Sequence, residues 1–119
     1  MSDHLKKILE NFCRLDNVRG AVILDDSGLV VEEFFAADSD SAPLAMLVLR
    51  SVQVGTQLVE DLGKAPLTQQ YIEFADLQIT AEQLANSCVL VILAETGANL
   101  GRVRLEIRKN KGAVETLLA

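Results

Sequence analysis

A chain of 119 residues, 50% hydrophobic and 24% charged, has the size and composition of one ordered domain, 1–119, with room for a single core and no second unit. Its formal net charge of -6 and isoelectric point near 4.7 repel phosphate backbones and anionic headgroups, so nucleic acid is not an expected partner. The start, Met1-Ser2-Asp3-His4-Leu5-Lys6-Lys7, has no apolar run of signal-peptide length. The longest apolar stretch, Cys88 to Ala94, is too short to span a bilayer, so a cytoplasmic protein with no membrane insertion is expected.

From Asp3 to Leu15 the residues Leu5, Ile8, Leu9, Phe12 and Leu15 recur at three- and four-residue steps, which predicts a first helix with one buried stripe. Val18 to Leu24 and Leu29 to Phe35 read as strands, and Asp25-Asp26-Ser27-Gly28 between them supplies the turn of a hairpin. Asp40 or Ser41 is placed to cap a second helix with Pro43 in its first turn, running to Leu62 and ended by Gly63. Leu67 to Ala75 and Leu77 to Leu84 are strand-like, with Ala75-Asp76 as the tight connection and Ile72, Phe74 and Ile79 as candidate core residues. Cys88 to Ala94 is continuously apolar, as in a strand covered on both faces. Asn99 then caps a last helix with Leu100, Val103, Ile107, Val114, Leu117 and Leu118 along one stripe and a possible interruption at Gly112.

The order is α-β-β-α-β-β-β-α. The first and fifth strands are too apolar to face water on either side, so helices must cover both faces of the sheet. This predicts an α/β fold, a three-layer α-β-α domain around a five-stranded, mainly antiparallel sheet of order 2-1-5-4-3. The third strand is then an exposed edge.

On a wheel the apolar and small side chains of the second helix cover roughly 220°, about twice what one sheet face needs. Either loops of the same chain bury the excess, or it is a second protein surface. Exposed sheet edges invite pairing and most soluble oligomers are twofold homodimers, which favours a dimer through this helix and the third strand. Leu47, Val54 and Leu58 on the helix, with Tyr71 and Glu73 on the strand, are the expected interface. The opposite side of the helix carries Met46, Arg50, Gln53 and Gln57, a compact polar face.

Catalytic chemistry is not expected. His4 is the single histidine, so one chain cannot assemble a Ser-His-Asp arrangement or a histidine metal site. The pairs Asp25/Asp26, Glu32/Glu33 and Glu60/Asp61 read as solvated carboxylates. Cys13 and Cys88 lack CxxC spacing and read as buried free thiols. No GxxxxGK[ST] or GxGxxG loop is present, so no nucleotide, other cofactor or metal is expected on this chain. The basic run Arg102, Arg104, Arg108, Lys109 and Lys111 reads first as a solvated complement to a helix dipole, with an acidic partner or lipid headgroups as the alternative. Leu105 lies opposite the stripe of that helix, as a lone exposed leucine or part of a contact patch.

Three stretches together carry a resemblance: Val18-Arg19-Gly20-Ala21-Val22-Ile23-Leu24-Asp25 with Ser27-Gly28-Leu29-Val30-Val31, then Val89-Leu90-Val91-Ile92-Leu93-Ala94, then Ala98-Asn99-Leu100-Gly101 leading to Arg104-Leu105-Glu106-Ile107. Over nearly its whole length the chain resembles the roadblock / dynein light chain family, which includes MglB-like regulators of Ras-like small GTPases. The resemblance implies the profilin-like roadblock fold, a homodimer or a heterodimer with another roadblock chain, and a sheet continued across the dimer through the third strand. It further implies a non-catalytic, GTPase-activating or co-activating partner of a Ras-like GTPase contacted through the helix-two face. The alternative is a passive scaffold or motor light-chain adaptor. The chain ends just after its last helix, without the C-terminal extension of the gliding-motility regulators, so nucleotide exchange is not part of the expectation.

Overall fold

Two strands that are apolar on both faces must lie where both faces are covered, and in the computed structural model they lie side by side. β1 (Val18–Leu24) and β5 (Val89–Glu95) pair antiparallel at the centre of the sheet. β2 (Val30–Phe35) flanks β1, β4 (Leu77–Gln83) flanks β5, and β3 (Gln69–Phe74) is the outer strand beyond β4, giving the order β2-β1-β5-β4-β3 with every neighbouring pair antiparallel. The structure describes residues 2–36, 42–64 and 66–119. The Asp40 or Ser41 cap expected for the second helix lies outside them.

The period of two along each strand divides the interior into two cores. Ala21, Ile23, Leu90 and Ile92 point to one face, where α1 (Ser2–Phe12) supplies Leu5, Leu9 and Phe12 and α3 (Leu100–Leu118) supplies Val103, Ile107 and Val114. Val22, Leu24, Val91 and Leu93 point to the other, covered by Ala45, Val48, Leu49 and Val52 of α2 (Ala42–Asp61). The three-layer arrangement follows from this division.

Boundaries depart from the sequence reading where local hydrogen bonding overrides periodicity. α1 stops at Phe12, not Leu15, because the chain tightens into i to i+3 turns (Leu15 N–H to Phe12 carbonyl, 3.1 Å) and reverses at Asn17, whose φ is 68°. Leu15 still packs on the α1/α3 core, which is why it fitted the stripe. Before β5 the chain makes a 3₁₀ turn, Ala85–Ser87, with Asn86 and Ser87 at positive φ, pinned by the Glu115 carboxylate accepting the Ala85 N–H at 2.6 Å.

α2 ends as expected. Gly63 has φ 66°, its N–H bonds the Glu60 carbonyl and the Lys64 N–H bonds the Val59 carbonyl, the paired contacts that close a helix at a left-handed glycine. Asn99 caps α3 by accepting the Arg102 N–H at 3.1 Å. Gly112 does not interrupt α3, which runs unbroken for 19 residues. This also corrects the dipole reading of the basic run. Arg102 to Lys111 occupy the start and middle of the helix, its last turn has no basic residue, and near the start the dipole opposes a cation.

Candidate functional site

Among the described residues α2 is the one helix on its face of the sheet, and half of its apolar arc meets that sheet. Ala45, Val48, Leu49 and Val52 are buried. The other half stands in the open: Leu47, Val54 and Leu58 are 60%, 71% and 60% exposed, and Leu62 continues the strip toward the helix end. Among the described residues no loop covers them.

The strip neighbours the free edge of β3, whose only strand partner among the described residues is β4. Gly55 of α2 approaches Leu67 and Gln70, and the Gln70 Nε2 donates weakly to the Ser51 carbonyl at 3.5 Å. The side chains of β3 beside α2 are therefore Gln70, Ile72 and Phe74, with Phe74 about half exposed and Ile72 packed on the α2 core.

Tyr71 and Glu73 alternate to the other face of the strand. There burial, chiefly, and the neighbouring Glu73 carboxylate raise the Tyr71 pKa, while Arg104 of α3 opposes the shift. The structure thus brings Leu47, Val54 and Leu58 together and sets Tyr71 and Glu73 on the opposite face of the adjoining edge. Alternation from Ile72, already a core candidate, was the signal that identifies Gln70 and Phe74 as their α2-side counterparts.

The polar residues of α2 do form one strip. Met46 rests on the β1–β2 turn against Gly28, whose φ of 92° and contact with the Met46 sulfur leave no room for a Cβ. Gln53 Nε2 donates to the Asp26 carbonyl at 3.2 Å, Gln57 Nε2 donates to Asp61 Oδ1 at 3.0 Å, and Arg50 is exposed with no carboxylate at ion-pair distance among the described residues.

The turn itself is closed by hydrogen bonds to one carboxylate. Asp25 Oδ1 accepts from the Ser27 N–H at 2.9 Å, the Ser27 hydroxyl at 2.7 Å and the Leu29 N–H at 3.0 Å. These bonds, the Ser27 hydroxyl first, hold its carboxyl below the usual range. Leu29 projects from the turn, 69% exposed. A shallow groove of about 290 Å³ runs between α2 and the turn, lined by Asp26, Gln53, Gln57 and Ser87 together with the apolar Leu49 and Val89. In the sequence, residues 25 to 28 mark a connection only; their junction with the α2 strip is a product of tertiary packing.

Desolvation pushes the Cys13 thiol up to about 11 and raises Cys88 as well, which keeps both protonated and poor nucleophiles. Among the described residues no three His, Cys, Asp or Glu side chains converge as metal ligands.

The Roadblock/LC7 domain profile matches residues 5–94. The fold is similar to MglB of Myxococcus xanthus, with a TM-score of 0.86 at 20% identity over 97% of this chain and 94% of that one. It is similar to the gliding protein MglB of Thermus thermophilus, with a TM-score of 0.86 at 21% identity over 97% and 88%. A Roadblock/LC7 domain from Streptomyces avermitilis gives 0.85 at 21% identity over 95% and 96%. No match was found among curated proteins.

Proposed function

The chain belongs to the Roadblock/LC7 family, and from that premise we propose that it is a cytoplasmic, dimeric regulator of a Ras-like small GTPase, acting by binding and contributing no catalytic group. The observation that carries the reading is the exposed strip Leu47, Val54 and Leu58 beside the free edge of β3. Large aliphatic side chains in a row cost solvation until another surface covers them. A second copy, related by a twofold axis beside α2 and perpendicular to the sheet, covers strip with strip and pairs β3 with β3, while Tyr71 and Glu73 meet their counterparts from the other side of the joined sheet. Another roadblock chain with a similar strip fits the same site.

The GTPase then docks on Met46, Arg50, Gln53 and Gln57, with the β1–β2 turn as a flank. No helix among the described residues is long and apolar enough to cross a membrane. Single-turnover GTP hydrolysis by the cognate GTPase, with and without this protein, tests the regulatory part. A raised rate is expected; binding with no change of rate replaces regulation by passive tethering. Saturable binding of GTP to this chain alone overturns the non-enzymatic reading.

A further inference from the structure

The basic run of α3 is the feature that this function leaves unused, and its geometry is not that of a solvated helix end. Arg104, Arg108 and Lys111 stand at i, i+4 and i+7, on one strip facing the outer strands. They line an open groove of about 530 Å³ between α3 and β3–β4, with Thr68, Gln69 and Glu82 opposite. Glu82 is nearly buried and already satisfied: Lys111 Nζ lies 2.7 Å from its Oε2, and Gln69 Nε2 donates to its Oε1 at 2.9 Å. The Gln69 carbonyl oxygen in turn accepts from Arg104 Nε at 2.8 Å, so the guanidinium is held in place by a neutral amide and keeps its charge uncompensated. Arg108 is exposed, with no ion pair among the described residues. Two arginines, one of them pre-positioned, therefore face a groove whose one acidic group is neutralised.

We propose that this groove binds an acidic segment of a protein partner, with Arg104 and Arg108 as its carboxylate anchors. The occupant follows from charge. A short peptide lying in the groove senses charges within about one Debye length, roughly 8 Å at physiological salt. A bilayer meets the whole molecule, whose net charge of -6 repels anionic lipid. The groove is on the sheet face opposite α2 and so apart from the proposed GTPase surface, while at β3 it borders the Tyr71 side of the proposed dimer edge.

The test is fluorescence anisotropy with a labelled oligo-glutamate peptide at low ionic strength. Oligo-glutamine serves as the uncharged control and phosphatidylserine–phosphatidylcholine vesicles as the competing surface. Saturable binding that weakens as salt rises is expected for oligo-glutamate alone. Arg104→Gln with Arg108→Gln should weaken it at least about tenfold, with the melting temperature and oligomeric mass retained. Arg102→Gln with Lys109→Gln, the same change in net charge away from the groove, should leave it within about twofold. Absence of saturable peptide binding, equal losses in the two double variants, or binding to vesicles alone overturns the proposal.

Discussion

Leu58 is 60% exposed on the isolated chain, so a charge there disturbs the protomer little and the proposed dimer a great deal. Leu58→Asp should move the mass found by light scattering from about twice 12.9 kDa to 12.9 kDa, because a carboxylate closed into an apolar seam costs several kcal/mol. An unchanged mass for this variant removes Leu58 from the interface. Cys13 gives a pH signature of the fold. Its thiol is pushed up to about 11, from 9.0, so above pH 9 the unfolded chain loses this proton while the folded chain retains it. Stability is therefore expected to fall between about pH 9 and 11, and Cys13→Ala should flatten that part of the melting-temperature curve relative to the parent protein.

At the scale of elements, α3 is clamped to the sheet by Lys111 on Glu82. Lys111→Met leaves a nearly buried carboxylate with the Gln69 amide as its remaining partner, and should cost about 1.5–3 kcal/mol in urea unfolding. Glu82→Gln, which removes the charge together with its need for a cation, should cost less. The elements were largely legible in the sequence because their signals are local: the Cys88–Ala94 run, the Gly63 stop and the Asn99 cap each depend on neighbouring residues alone. From the two apolar strands the order 2-1-5-4-3 followed. What was not legible depends on contacts between distant segments. The 3₁₀ turn at Ala85–Ser87 is held by Glu115, thirty residues away, and the junction of Met46 and Gln53 with the β1–β2 turn joins residues 18 to 27 apart. The side of β3 on which Tyr71 lies was in the sequence but went unused, since strand alternation fixes it once Ile72 is inside.

For the whole molecule, the twofold symmetry of the proposed dimer sets the expected stoichiometry. Met46, Arg50, Gln53 and Gln57 occur once per chain, on a strip bordering the one assigned to the proposed dimer, so a single globular partner lying across the axis would meet both copies. Calorimetric titration should then give two chains per GTPase. Arg50→Glu with Gln53→Glu should leave the dimer intact and weaken binding of the GTP-loaded partner at least tenfold, about 1.4 kcal/mol. Unchanged affinity in that variant, with loss on Arg104→Glu and Arg108→Glu, places the GTPase on α3 instead.

The two faces of the sheet are unequally braced. α1 and α3 lock against each other around Phe12 and Leu9, whereas α2, the one helix on its face among the described residues, grips the sheet through Ala45, Val48, Leu49 and Val52. Such a helix is expected to open as a cooperative unit of its own while the opposite core stays closed. Its amides should take up deuterium sooner than those of the middle of α3, sooner still in monomeric Leu58→Asp, and more slowly once a second chain or a GTPase covers it. The helix proposed to meet both partners is thus the one whose order those partners complete.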